Sequence, residues 1–180
     1  MSSTIYESLW QKQARQWARI GSPLRPCAED VENFQTALGT NLGRYLLLGV
    51  TPELAQLSPS LTAIDNNEAM IEALWQDKSS ALHGDWLELP FPKNAFDAVI
   101  GDGCLTLLTY PLQYERLFSQ LNHVLSPKGK VAIRLFVSPE ESESPEFVCH
   151  EALSGNIKSF HAFKWRLSMA LASLELAVRK

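Results

Sequence analysis

Acidic residues stand where three apolar runs of the sequence end. Asp65, Asp85 and Asp102 each close such a run. If the runs are parallel strands of an open α/β sheet, their carboxyl ends meet at one edge, where such sheets bind ligands. Carboxylates placed there accept hydrogen bonds from hydroxyl and amino groups and attract cations. The sequence therefore predicts a binding crevice that contains three carboxylates.

Asp65 is the acid whose position is most typical of a binding role. An acid at the end of the second strand of such a fold commonly accepts hydrogen bonds from ribose hydroxyls. The other role open to it is to cap a helix over Asn67 and Glu68, which Asn66 can do instead. We predict that Asp65 binds a ribose, with Asn66 beside it.

The turn after the first apolar run, residues 49–53, disfavours one large class of ligands. A dinucleotide site needs G-x-G-x-x-G, whose backbone amides close on a pyrophosphate, and this turn retains only Gly49. Glu53 would repel each phosphate charge by about 3 kcal/mol at about 5 Å and an effective dielectric constant of about 20. A ligand with a ribose, a positive charge and no phosphate fits better. Glu53 can also simply stabilise the helix dipole.

The other two acids have a binding role and a structural alternative each. Asp85 can accept a hydrogen bond from the exocyclic amine of an adenine, while the backbone N–H of Trp86 meets a ring nitrogen. Trp86 can equally be a core side chain. Asp102 lies between two glycines that permit close backbone approach, so it can orient or deprotonate a reacting group. Its alternative role is to anchor the turn to a neighbouring loop.

Strands and helices alternate in the part of the sequence that carries these residues. Strands are predicted at 45–48, 61–64, 80–83, 96–100 and 131–137, and helices after Thr51, at 68–76, from Pro111 to Leu125 and at 150–178. This alternation predicts an α/β fold with a doubly wound, mostly parallel sheet and right-handed crossovers. Two further helices are predicted upstream, at 5–19 and 28–38. We expect one compact domain of 180 residues, with an N-terminal helical cap at 1–43 and an α/β domain at 44–180.

Composition makes several other classes of function poor candidates. A net charge of −4 with scattered Lys and Arg disfavours nucleic acid as a partner. No apolar run approaches the ~20 residues of a membrane span, and the N-terminus lacks the pattern of a secretory signal. Cys27, Cys104 and Cys149 form no C-x-x-C pair, and the histidines show no metal-binding spacing. We expect a cytoplasmic protein that binds neither metal nor membrane.

Two segments of the chain resemble a known family. LPFPKNAFDAVIGDGCLTLL, and then LFSQLNHVLSPKGKVAI, are similar to segments of class I S-adenosylmethionine-dependent methyltransferases of the type 11 kind, over about residues 44–137. The resemblance implies a Rossmann-like fold, S-adenosylmethionine as cofactor and methyl transfer to an unidentified small-molecule acceptor. It places Asp65 on the ribose, Asp85 and Trp86 at the adenine and Asp102 near the methyl group, where it is the candidate catalytic residue. The predicted cofactor site comprises Gly49, Val50, Thr51, Glu53, Asp65, Asn66, Asp85, Trp86 and Asp102.

The chain departs from the family pattern in three places. Residues 47–53 replace the first motif, D-x-G-x-G-x-G, and keep only Gly49, which favours an alternative: a catalytically inactive cofactor-binding or regulatory protein. The motifs of base-methylating enzymes are absent around Asp102. The two strands that normally follow the last helix are also missing, so the strand at 131–137 would be an exposed apolar edge. We therefore expect either a truncated chain or self-association through this edge.

Overall fold

The computed structural model describes Trp10, Lys12 and residues 14–39, 43–137 and 140–178, with side chains as far as residue 172. The chain divides into two compact units. The first contains the residues up to 18 together with 28–135, and the second contains Arg19–Cys27 and Phe136–Lys180. The predicted division into a cap at 1–43 and a domain at 44–180 stays a prediction.

The first unit is built on a five-stranded parallel sheet. Its strands are β1 (Tyr45–Leu48), β2 (Leu61–Asp65), β3 (Ala81–His83), β4 (Phe96–Asp102) and β5 (Leu125–Arg134). They lie in the order β3-β2-β1-β4-β5, and every pairing is parallel. The central strand β1 is buried along its whole length, as its apolar sequence predicts for a strand covered on both faces. The predicted α/β class and Rossmann-like, doubly wound parallel sheet are confirmed.

Helices of the first unit cover both faces of this sheet. The α-helices of this unit are α1 (Ala28–Leu38), α2 (Glu68–Leu74) and α3 (Leu112–Val124), and those of the second unit are α4 (Pro145–Leu153) and α5 (Phe160–Val178). Short 3₁₀ helices lie at Trp17–Arg19, Pro52–Leu57, Lys78–Ser80 and Cys104–Leu107. Because side chains of a strand alternate between faces, Tyr45 and Leu47 of β1 join one apolar cluster with α1 and α2. Leu46 and Leu48 join the other cluster, with α3.

The last strand of the sheet differs from the predicted one. The strand predicted at 131–137 is observed at Leu125–Arg134. It ends at Arg134 because this residue pairs with Asp102, the last residue of β4. It begins early because Leu125 pairs with Phe96, after which the register shifts before the regular ladder starts at Lys130. Residues 126–129 therefore lie within the strand.

The second unit contains two helices where the sequence predicted one helix at 150–178. α4 starts earlier, because Ser144 accepts a hydrogen bond from the N–H of Phe147 and Pro145 occupies the first turn. It ends before Gly155, whose φ of +76° is left-handed; a residue of this kind terminates helices.

Gly155 lies between α4 and α5, which begins at Phe160. Within this unit the rings of Phe136 and Trp165 lie 4.3 Å apart, and Arg166 pairs with Glu143. The helix predicted at 5–19 falls partly outside the described residues; residues 14–16 are helical. Among the described residues, none of the helices has the length and apolar content needed to cross a membrane.

Candidate functional site

The carboxyl ends of the strands bring the predicted acids to one edge of the sheet. Leu48 of β1 lies opposite Ile64 on one side and Gly101 on the other. Asp65 and Asp102 are therefore the next residues along two strands that flank the same turn, at Gly49. Because all the strands run in the same direction, the loop with Asp85 leaves β3 at this edge as well.

Gly49 is the point where three of the predicted residues meet. Its φ is +99°, a conformation that side chains oppose. Its N–H donates a hydrogen bond to the carbonyl of Ile64 at 2.8 Å, and Nε1 of Trp86 donates to the same carbonyl at 2.8 Å. A Cβ added to Gly49 would lie 3.9 Å from both Oδ2 of Asp65 and Cζ2 of Trp86. The glycine thus leaves a small cradle between a carboxylate and an indole.

Oδ2 of Asp65 faces this cradle, whereas its Oδ1 contacts the backbone. Its Oδ1 accepts a hydrogen bond from the N–H of Asn67 at 2.8 Å. Asn67 itself caps α2, because its Oδ1 accepts from the N–H of Met70. The capping role considered for Asp65 or Asn66 therefore belongs to Asn67. Burial raises the pKa of Asp65 to about 6, while the Asn67 N–H and the charge of His83 act in the opposite direction.

The loop after β3 is fixed by contacts within itself and with α3. Oδ1 of Asp85 accepts a hydrogen bond from the N–H of Leu87 at 2.8 Å, and the Asp85 side chain remains exposed. From α3, Arg116 donates to the carbonyl of Leu87, and Gln120 accepts from the N–H of Leu89. Two residues one helical turn apart thus hold the loop that carries Asp85.

The remaining residues of the predicted cofactor site differ in what they can offer. Val50 and Thr51 are buried, so they present backbone rather than side chains to the edge. Thr51 stands at the N-cap of the next 3₁₀ helix but makes no side-chain capping bond there. The carbonyl of Asn66 lies 3.0 Å from Nε2 of His83. Glu53, in the first turn of that 3₁₀ helix, is near enough to act on the charge of Asp102.

Asp102 is held by an ion pair that the sequence analysis did not predict. Nε of Arg134 donates to Oδ1 of Asp102 at 2.6 Å, and Nη1 of Arg134 reaches Oδ2 of Asp30 on α1 at 3.3 Å. The side chains of Asp102 and Arg134 are 7% and 14% exposed, which makes this a mostly buried pair. Burial raises the pKa of Asp102; Arg134 opposes this, and the charges of Asp30 and Glu53 add to it.

The sequence held one signal for this cluster. Arg134 interrupts an otherwise apolar run, VAIRLFV, and a lone cation in a strand needs a buried partner. The side chain of Asp102 thus connects the end of β4 to β5, and the N–H of Gly103 also donates to the carbonyl of Arg134 at 3.0 Å. Asp30 offered no comparable signal, because an acid in the first turn of a helix is ordinary.

A cavity of about 370 Å³ lies next to this cluster. It runs between one face of α1 and the end of β5, and we call it the α1–β5 groove. Its lining residues are Asp30, Asn33, Phe34, Ala37, Val131, Ala132, Ile133 and Arg134. None of the nine predicted cofactor residues lines it. In the described part of the chain, no group of three or more His, Cys, Asp or Glu could hold a metal ion.

Comparison with protein families decides what kind of domain this edge belongs to. Residues 48–133 match the family model described as a methyltransferase domain. Over this segment the chain is similar to a methyltransferase domain. The match includes Asp65, Asp85 and Asp102, so all three acids of the edge lie within the matched segment. The family predicted from the sequence is confirmed. A comparison with curated proteins finds no match.

Solved structures of methyltransferases share the fold. A candidate S-adenosyl-L-methionine-dependent methyltransferase from Methanococcus maripaludis has 19% identity and a TM-score of 0.58, over 81% of this chain and 70% of its own. The N-methyltransferase NodS from Bradyrhizobium japonicum, in complex with S-adenosyl-L-homocysteine, has 18% identity and a TM-score of 0.53, over 68% and 71%. The methyltransferase CcbJ from Streptomyces caelestis has 17% identity and a TM-score of 0.56, over 67% and 54%. At these identities the likeness concerns the fold.

Proposed function

We propose that this chain transfers a methyl group from S-adenosylmethionine to a small-molecule acceptor. The observation that carries the proposal is the match to a methyltransferase domain whose strand ends bring Gly49, Asp65 and Trp86 together. The complex of NodS with S-adenosyl-L-homocysteine supports the choice of cofactor, because that protein shares the fold.

The residues at the edge fit the adenosine half of this cofactor. The cradle at Gly49 leaves room beside Asp65, whose Oδ2 can accept hydrogen bonds from ribose hydroxyls. Asn66 follows it, and Asp85 and Trp86 border the position of the adenine. Val50 and Thr51 contribute backbone groups, since their side chains are buried.

The charged half of the cofactor suits the other end of the edge. Asp30 and Asp102 pair with the guanidinium of Arg134, and Glu53 is near enough to act on Asp102, which leaves net negative charge in a mostly buried region. When bound there, S-adenosylmethionine supplies an activated methyl group on a positively charged sulfur. The chain then contributes mainly position and field, which are large terms in catalysis. We assign Asp102 the role of orienting the acceptor or taking its proton.

The partners that we propose follow the sequence analysis. The acceptor is a small molecule, and nucleic acid is not a partner because the chain carries a net charge of −4. Self-association through the β5 edge remains part of the proposal, as does a reducing location such as the cytoplasm, which cysteines without a C-x-x-C motif support.

Binding of S-adenosyl-L-homocysteine tests the cofactor site without knowledge of the acceptor. A ligand at 100 times its Kd stabilises a protein by about 2.7 kcal/mol, so the melting temperature of the wild type should rise by several degrees. Asp65→Ala should abolish the rise. Glu72→Gln, which removes an exposed acid from α2, should keep it. No rise with the wild type, or an equal rise with Asp65→Ala, would contradict the assignment of the site.

A further inference from the structure

The α1–β5 groove ends at the charged cluster where the proposed methyl transfer takes place. Arg134 and Asp30 both line the groove, and Arg134 contacts Asp102 at the end of β4. One end of the groove therefore lies at the charged cluster, and from there the groove extends along β5. Its volume of about 370 Å³ falls in the range of small-molecule sites.

We propose that this groove binds the methyl acceptor and that the acceptor carries a basic amine attached to an apolar body. The proposal rests on the proposed function, because it places the acceptor beside the cofactor site. Its first support is the division of the lining. Phe34 and Ala132, which belong to the apolar cluster with α1, offer apolar walls, whereas Asp30, Asn33 and Arg134 form the polar end. A molecule with an apolar body and one polar head matches this arrangement.

The charge of the polar end selects the head group. Two carboxylates, Asp30 and Asp102, share the guanidinium of Arg134, at 3.3 Å and 2.6 Å. The three side chains carry a net charge of −1, and Glu53 adds a further negative charge nearby. In a region shielded from water this field attracts an ammonium group and repels a carboxylate. A carboxylate-bearing acceptor would also have to compete with Asp30 and Asp102 for the same guanidinium.

The chemistry of an amine acceptor uses the same groups. The ammonium first gives a proton to a carboxylate of the cluster or to water, which frees the nitrogen lone pair. The lone pair then forms the N–C bond to the methyl group while the C–S bond breaks, and its electron pair stays on sulfur. The products are the protonated N-methylated amine, S-adenosyl-L-homocysteine and one proton per turnover. Asp30 binds and positions the head group in this scheme, and Asp102 lies beside the reacting centre.

Three probes with the same aromatic ring and different head groups test the inference. Phenethylamine, 2-phenylethanol and phenylacetate are titrated by calorimetry into the protein saturated with S-adenosyl-L-homocysteine. We expect phenethylamine to bind at least about tenfold more tightly than phenylacetate, with 2-phenylethanol between them. Asp30→Asn should weaken the binding of phenethylamine about tenfold, as expected for the loss of one charge-assisted contact.

Two control variants in α1 test whether the probes bind in the groove. Glu32→Gln removes an exposed acid of α1 outside the groove and should change nothing. Ala37→Phe fills the groove from the solvent side and should block all three probes while S-adenosyl-L-homocysteine still binds. Preference for phenylacetate, no binding of any probe, or unchanged binding in Asp30→Asn would overturn the inference. Failure of S-adenosyl-L-homocysteine to bind the wild type would instead overturn the proposed function, before any probe is added.

Discussion

Asp65 should make the folded protein less stable at neutral pH than at acidic pH. Burial raises the pKa of its carboxyl from an ordinary 3.8 to about 6. Between these two values the folded chain holds a proton that the unfolded chain has released. The free energy of unfolding therefore falls as the pH rises through this window, and levels off above it. The difference of about 2 pH units corresponds to about 3 kcal/mol, at 1.36 kcal/mol per unit.

Asp65→Asn removes this titration and keeps the shape of the side chain. The amide oxygen can still accept the hydrogen bond from the N–H of Asn67. The variant should therefore gain stability relative to the wild type as the pH rises from 4 to 7.5, by up to about 3 kcal/mol. It should also lose the binding of S-adenosyl-L-homocysteine, so that stability and binding change in opposite directions.

Urea denaturation at several pH values measures this difference directly. Other titrating groups cancel when the free energy of unfolding of the wild type is subtracted from that of Asp65→Asn at each pH. Asp97→Asn serves as a control of opposite sign, because hydrogen bonds from Arg44 lower the pKa of Asp97. That variant should lose stability relative to the wild type as the pH rises from acid to neutral. A pH-independent difference for Asp65→Asn would refute the reasoning about burial.

Three further predictions concern the sheet. Arg134→Met leaves two mostly buried acids without their cation and should cost about 3 kcal/mol in urea denaturation, whereas Arg116→Met, at an exposed pair, should cost less than about 1 kcal/mol. Gly101→Ala places a Cβ 2.7 Å from the Sγ of Cys104 and should lower the melting temperature by several degrees; an unchanged value would mean that this contact relaxes. If copies of the chain associate through β5, light scattering after size exclusion should show a mass above that of one chain, and Val131→Lys should reduce it. A monomeric wild type would argue against association.

Most of the sheet and the position of its edge follow from local patterns in the sequence. Apolar runs with turn signals between them predict β1 to β4 to within two residues. The acids stand at one edge because the crossovers make all strands parallel, which sequence alternation already implies. The family is also readable from the sequence, because two segments, which include β4, part of α3 and most of β5, carry residue patterns similar to those of the family.

Features that depend on distant parts of the chain could not be predicted in this way. The pairing of Arg134 with Asp30 requires the position of α1 against β5, and no local periodicity encodes it. The same holds for the shift of register at Leu125, which moves the start of β5 by several residues. Gly155 is a sequence signal for the break before α5. The apolar residues on both sides of it, however, have the spacing of one continuous helix.

The contact between Arg134 and Asp30 joins residues that are 104 positions apart. During synthesis, α1 leaves the ribosome long before β5 exists, so its apolar residues Val31 and Phe34 have no finished sheet to cover. Docking of the first helix must then be a late event, slowed by the closure of a very long loop. Until α1 docks, the growing chain exposes the apolar face of this helix, and we expect chaperones to bind the nascent protein there.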